Sequence, residues 1–410
     1  MKTLRTLILC ICFALPAITA SADGELTVKP YGFVLSNMQY NNNVKADIPT
    51  VCALTDTTKN LLMTARQTRF GLTLDMEEQG WNLGGKVELD FWGLRGSGKN
   101  GSSMQSAPRL RMAFLSLTKK KVTLVFGQDW VCFAPLSPES DAHVSIPAFS
   151  SSGNLWNRMP QIRLEYKNAT EKHTTLAQLA VVRPLASDQD PTTSYSQADL
   201  LGAGELNGLP FVQGRFALSP SKQITVGLSG HYGQEDFQIA LNDSAFKDKS
   251  TTYAGAIDFK AAGPVVSLMG EAYVGANLIS LFSNASYFKD TWTSTTGVKN
   301  EPVKTQGGWA MVGIKPKHSK VLLNFGTGIE MLNEEHVDSV ATHDATKAKL
   351  LKNFTVFGSL LYSPMSKVRF GVEVGSIKTT YHTYVTTPTA AIIEDSGDNL
   401  SANLSAKFSF

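Results

Sequence analysis

Leu400-Ser401-Ala402-Asn403-Leu404-Ser405-Ala406-Lys407-Phe408-Ser409-Phe410 closes this 410-residue chain. Leu400, Ala402, Leu404, Ala406, Phe408 and Phe410 fall on one parity, and Ser401, Asn403, Ser405, Lys407 and Ser409 on the other. Strict period-two alternation marks a strand with one apolar and one wet face. The pattern runs to the last residue, an aromatic, which a water-exposed terminus gains little by carrying. A closing strand of a transmembrane barrel does gain, because one face meets lipid and the other a water-filled lumen.

The opposite end agrees. Lys2 and Arg5 form a short basic region, Leu7 to Ile18 is apolar apart from Pro16, and Ala20-Ser21-Ala22 is a small-x-small cleavage site. Residues 1–22 therefore read as a secretory signal, with a mature chain beginning at Asp23 and a single barrel domain over residues 23–410. Cys10 and Cys12 lie inside the apolar region, not directly after the cleavage site, so a lipoprotein signal does not fit. Removing Lys2 and Arg5 lowers the formal charge from +3 to +1. A near-neutral chain argues against nucleic acid as a partner. Beyond residue 22 no apolar run is long enough for a transmembrane helix, and closed barrels are the other way to satisfy a backbone inside a bilayer.

Along the chain, alternating segments are joined in turn by short and long polar connections. Gln67–Met76, for instance, sets Phe70, Leu72, Leu74 and Met76 against Arg69, Thr73 and Asp75. The fourth and fifth segments meet at Lys119-Lys120-Lys121, the eighth and ninth at Pro220-Ser221-Lys222, and two later ones at Pro364-Met365-Ser366. The count predicts an all-β fold: a sixteen-stranded antiparallel transmembrane β-barrel with seven short turns and eight longer loops. The longest loops run roughly Cys132–Asn157, Pro184–Leu209, Leu278–Lys304 and Leu332–Lys349, and are rich in Ser, Thr, Asn, Asp and Gly. A soluble all-β protein shares the alternation. It does not share the export signal, the loop asymmetry or the terminal Phe. Small residues at inward positions (Gly71, Gly84, Gly227, Gly326, Gly371) leave room in a lumen where a soluble barrel would need bulky filling.

Two resemblances add to this. Phe408 and Phe410 at alternate positions resemble the C-terminal signal that outer-membrane proteins present to the barrel assembly machinery. The stretches YGFVLSNMQYN, RQTRFGL, GGKVELDFWG, RLRMAFLSL, VFGQDW and NRMPQIRLEY, in this order between Tyr31 and Tyr166, resemble the DcaP-like outer-membrane porin family. That resemblance implies a homotrimeric sixteen-stranded channel in a Gram-negative outer membrane, in contact with its lipid and lipopolysaccharide, passing small and often anionic solutes. Members of that family can carry a periplasmic segment before the barrel. Here the first strand is expected two or three residues after the cleavage site.

Parity assigns the candidate site. Arg69, Lys86, Glu88, Asp90, Arg109, Arg111, Asp129, Arg163 and Glu165 oppose the apolar faces of their strands and are expected to line the pore. A charge facing lipid near the midplane costs roughly 2–4 kcal/mol. Fixed charges along a pore select the sign of the permeant ion; alternatively the arginines pair with Glu88 and Asp90 and brace the wall. By resemblance to trimeric porins, the loop Cys132–Asn157 is expected to fold inward as a constriction carrying Glu139, Asp141 and His143; an outward surface loop is the other reading. Cys52 and Cys132 could pair as a disulfide or stay two separate thiols. Trp81, Trp92, Trp130, Trp309, Tyr362 and Phe410, near segment ends, suit aromatic girdles. No HExxH, CxxC or Walker-type loop occurs, so no metal or cofactor is expected. The pair Ser229 and His231 offers only a weak case for a barrel lipid hydrolase. The reading is a non-enzymatic porin with weak anion preference, the alternative being a barrel that acts as an adhesin or receptor through its loops.

Overall fold

A computed structural model describes residues 24–93, 106–184, 203–236, 249–285, 302–343, 348–385 and 391–410. The predicted signal, residues 1–22, lies outside them. The strands are β1 (Thr27–Asn41), β2 (Asn60–Thr64), β3 (Arg69–Glu78), β4 (Trp81–Gly93), β5 (Ala107–Lys119), β6 (Val122–Trp130), β7 (Arg158–Ala169) and β8 (Thr174–Val182). They continue as β9 (Phe211–Ser221), β10 (Ile224–Asp236), β11 (Lys249–Ala262), β12 (Val266–Ala276), β13 (Lys304–Ile314), β14 (Val321–Leu332), β15 (Lys349–Met365), β16 (Val368–Val385) and β17 (Ala391–Ser409).

The strand pairings are antiparallel, from β3 to β17 each between successive strands, and β1 pairs with β17 to close the sheet on itself. Both β2 and β3 pair with β1, one with its second half and one with its first. They occupy one position in the wall, interrupted at residues 65–68, so the barrel has sixteen strand positions. The sequence reading missed β2, because Asn-Leu-Leu-Met-Thr is too short for alternation to register. Its Leu61 and Met63 nevertheless face outward and are strongly exposed. The seven short connections fall where expected. In the β3–β4 turn both Gln79 and Gly80 have positive φ, 48° and 73°, the two-residue geometry that matches the twist of a hairpin.

The outer surface carries the apolar face of every strand. Val87, Leu110, Leu164, Phe216, Leu228, Ile257, Val274, Phe325, Val372 and Leu404 are all exposed. So wide an apolar belt is what a bilayer covers. Trp81, Tyr362 and Phe410 are exposed and consistent with girdle positions. Trp309 is not. It pairs in register with the inward Glu271, is 4% exposed, and donates its indole N–H to that carboxylate at 3.0 Å. Trp130 and Trp92 lie against the guanidiniums of Arg158 and Arg66 at 4.8 and 4.2 Å.

Among the described residues, two regions read as polar loops contain α-helix. A short helix, α1 (Ala203–Leu206), follows β8, and α2 (Glu334–His343) packs against β15, β16 and β17. β16 and β17 also run well past Lys378 and start well before Leu400, the limits read from the sequence.

Candidate functional site

The basic wall is built by five strands. A bulge in the β4–β5 ladder sets the step from Glu88 to Leu89 against the step from Met112 to Leu110, which leaves Arg111 as the extra residue. A bulge re-aims side chains, and here it turns Arg111 and Met112 both inward, where each is nearly fully buried. Arg111 thereby reaches two carboxylates at once, with Nε 2.7 Å from Glu88 and Nη1 2.9 Å from Asp90. Arg109 forks onto Asp90 at 3.0 and 2.6 Å. Arg69 and Lys86 approach Glu88 at 3.5 and 3.9 Å. Further round, Arg163 bridges Asp129 at 2.8 Å and Glu165 at 2.6 Å. All nine predicted residues lie on the interior face, and the structure joins them in these two networks. Lys407 and Arg69 flank the Phe33 ring at 4.3 and 5.2 Å, extending the basic wall across the β17–β1 closure to Arg369.

Sequence pattern alone does not single out Arg158, which follows Asn157 at the start of NRMPQIRLEY. Its guanidinium stands 4.8 Å from the Trp130 ring and 5.3 Å from the Trp156 ring. Its Nη1 is buried without a hydrogen-bond partner among the described residues. Arg111 shares the Trp130 ring at 6.0 Å. Arg69, Lys86, Arg109, Arg111, Arg158 and Arg163 are six cations against four carboxylates, Glu88, Asp90, Asp129 and Glu165, so these ten side chains together carry a net +2.

The loop between β6 and β7 lies inside the barrel and touches opposite walls. Asp141 and Glu139 take Arg369 at 2.5 and 2.7 Å, and Asp141 also faces Lys407 at 3.3 Å. His143 approaches Glu373 at 3.5 Å, and Ser140 donates to the same carboxylate at 2.7 Å. The arginines of the basic wall hold the loop too. Arg69 donates to the Val144 carbonyl and Arg109 to the Ser145 carbonyl, each at 3.1 Å. Gln67 accepts from the Val144 and Ser145 N–H groups and donates to the Ala142 carbonyl. Across the lumen, Glu271 accepts the Leu136 N–H at 2.6 Å, and Asn353 donates to the Ser151 carbonyl at 2.7 Å.

Glycine shapes the seat of this loop. Phe149 stacks on Trp309 and Phe357 with centroids 5.9 and 5.1 Å apart. A Cβ on Gly326 would meet the Phe149 ring at 2.7 Å, and one on Gly328 would meet Phe149 at 2.9 Å and clash with the Ser152 carbonyl. The inward Gly326 expected to leave open lumen instead makes room for the loop. Gly71 and Gly227 likewise accommodate Tyr31 and the Arg215–Asp258 pair.

Cys52 and Cys132 are two separate free thiols, each buried. Cys52 packs with Val44 and Ile377, and Cys132 with Phe133, Met159 and Phe211. Burial pushes their thiols up, to about 12 and about 11. His231 lies between Gln213 and Thr252, both at 3.1 Å, while Ser229 accepts the Ala134 N–H. The two are thus engaged elsewhere and not with each other.

The outer-membrane channel DcaP of Acinetobacter baumannii matches over 97% of this chain and 100% of its own, with a TM-score of 0.71 at 18% identity. The fold is that of an outer-membrane porin. An anion-selective porin from Comamonas acidovorans matches 94% of this chain and 100% of its own at TM-score 0.55 and 11% identity. The trimer form of OmpT of Vibrio cholerae covers 94% and 99% at TM-score 0.55 and 11% identity. No family profile matches the sequence, and no curated protein matches it. The porin fold is therefore carried here by a sequence far from these solved structures.

Proposed function

We propose that this chain is a non-enzymatic porin of the outer membrane, a water-filled channel for passive diffusion of small hydrophilic solutes with a weak preference for anions. The observation that carries this reading is the loop 131–157, strapped across the lumen beside a wall of net positive charge. A strap of this kind narrows the path, and fixed charge at a narrowing acts on ions with little water to screen it. Guanidinium stays charged at any working pH and presents a fork to carboxylate or phosphate. Glu88 and Asp90 are held in pairing, which leaves Arg158 with no carboxylate partner among the described residues. Homotrimeric assembly, contact with lipid and lipopolysaccharide, and delivery by the barrel assembly machinery through Phe408 and Phe410 belong to the same reading.

The test is a reversal-potential measurement in a salt gradient across a planar bilayer. Anion preference is expected, fading as salt rises, because the Debye length falls from about 10 Å at 0.1 M to about 3 Å at 1 M. Arg158→Gln is expected to move the potential toward cations without releasing a wall-to-loop ion pair. The double variant Arg109→Ala/Arg111→Ala is expected to move it further. Cation preference in the unaltered channel would overturn the role given to these arginines. Failure to conduct at all would favour the adhesin or receptor alternative.

A further inference from the structure

We propose that Glu334, Asp338 and His382 form a binding site for one divalent transition-metal ion, of which Zn²⁺ fits the donor set, and that the ion pins α2 to the β16–β17 hairpin. One ligand atom from each residue lies within 4.8 Å of the other two. Their positions follow from local structure. Asn333 starts α2: its side-chain oxygen accepts the His336 N–H at 3.0 Å and its carbonyl accepts the Val337 N–H at 3.1 Å. Glu334 and Asp338 are then four residues apart, stacked on one helix face. Val337 is buried beside them, which fixes the rotation of the helix on the strands.

His382 comes from β16 and meets that face. Its Nδ1 lies 2.5 Å from Asp338 Oδ1. Its Nε2 points the other way, 3.9 Å from Glu394 Oε2, and Glu394 is its direct partner in the β16–β17 register. At 3.9 Å this is longer than a hydrogen bond; a rotation of the Glu394 side chain that closes the gap would give the carboxylate–histidine arrangement that orients metal-binding histidines. Lys349 sits opposite His382 in the β15–β16 register. Among the described residues, Glu334, Asp338 and Glu394 bring three carboxylates toward this ring, a donor-rich setting that attracts a cation.

The donor chemistry selects the ion class. One imidazole and two carboxylates, with room for water as a fourth ligand, suit tetrahedral Zn²⁺. Ca²⁺ takes six to eight oxygen ligands and Mg²⁺ near-ideal octahedral oxygen geometry, which this set does not supply. An ion here would replace the direct His382–Asp338 contact and tie the helix to β16.

The test uses the full-length folded barrel in detergent after chelator treatment, titrated with ZnCl₂ by calorimetry, with hydrogen exchange followed over residues 334–338. One Zn²⁺ per protomer is expected, together with slowed exchange in that helix turn. His382→Ala and Asp338→Asn are expected to abolish both effects. Glu394→Gln, which removes only the orienting carboxylate, is expected to weaken affinity about tenfold to hundredfold. His336→Gln, on the same helix but outside the cluster, is expected to leave binding unchanged. Zn²⁺ binding that survives His382→Ala, that is lost in His336→Gln, or that Mg²⁺ matches in affinity would overturn the site. So would the absence of saturable binding by a barrel shown to be folded by its heat-modifiable mobility.

Discussion

Phe410 and Gly32 exchange backbone hydrogen bonds: the Phe410 N–H donates to the Gly32 carbonyl at 3.1 Å, and the Gly32 N–H to the Phe410 carbonyl at 3.3 Å. The last residue of the chain thus completes the seam on which the whole barrel closes. Its ring lies 5.8 Å from that of Phe70, on the lipid side of the wall. A Cβ on Gly32 would meet the Phe410 ring at 2.9 Å and the Arg69 carbonyl more closely still. Deleting Phe410 removes both bonds, each worth about 0.5–1.5 kcal/mol net. Phe410→Ser keeps the backbone but loses the ring. Both are expected to lower the folded outer-membrane pool, the deletion more so, measured as heat-modifiable barrel. Unchanged levels in both would show that neither the seam nor the terminal aromatic limits assembly.

Phe149 anchors the internal loop by stacking between Trp309 and Phe357. Burying an aromatic this completely and then truncating it costs roughly 3–5 kcal/mol in a packed core. Here the cost falls on the loop, because the wall itself is held by its ladder. Phe149→Ala is expected to leave the barrel heat-modifiable while raising single-channel conductance and current noise. Gly328→Val attacks the same contact from the wall, since a side chain there meets both Phe149 and the Ser152 carbonyl. It is expected to give the same rise. A conductance unchanged in both variants would mean that the loop does not narrow the conducting path.

Arg369 forks onto Asp141 at 2.6 and 2.5 Å, and adds Glu139 at 2.7 Å. Asp141 is 1% exposed at its side chain and Arg369 24%. The pair therefore lies between an exposed bridge, worth about 0.2–1 kcal/mol, and a buried one whose disruption costs about 3–5 kcal/mol. Arg369→Ala is expected to loosen the foot of the loop, and Asp141→Asn to do the same while leaving Lys407 without its carboxylate and Arg369 with Glu139 alone. The two should therefore differ in selectivity: Asp141→Asn toward anions, Arg369→Ala toward cations. Conductance should rise in each. Identical reversal potentials for the two variants would contradict the charge assignment.

How much of this was legible in the sequence depends on whether a residue's role is set by parity or by a distant partner. Alternation fixes a face, and so it sets Phe410 on one side of the wall and Arg69, Glu88 and Asp90 on the other. Arg111 lands inward as expected, but the bulge that joins it to both carboxylates leaves no trace in local pattern. Trp309 was misassigned for a related reason: its parity is inward, and only the Glu271 carboxylate beside it explains an indole there. Arg369, Lys407, Glu271 and Glu373 could not be found, because their partners belong to a loop more than a hundred residues away in sequence. The helix Glu334–His343 was hidden by its polar composition, which resembles that of a surface loop until its strands are known.

The two thiols give a pH-dependent prediction that separates them from a disulfide. An ordinary thiol ionises near 8.5. Loss of hydration on burial disfavours the thiolate and raises Cys52 to about 12 and Cys132 to about 11. The sign follows from which state ionises first. Below about 8.5 both thiols are protonated whether the chain is folded or not, so their burial contributes its full stability. Above that value the unfolded chain ionises while the folded one does not. Stability then falls with rising pH until the folded thiols themselves ionise. The reactive species is the thiolate, so the folded barrel is expected to resist maleimide between pH 7 and about 9. After denaturation without reductant it should take up two labels on the mature chain, one at Cys52 and one at Cys132. Absence of label after denaturation, with uptake restored by reductant, would mean that the two residues pair after all. Rapid labelling of the folded barrel near neutral pH would mean that the loops covering them open readily.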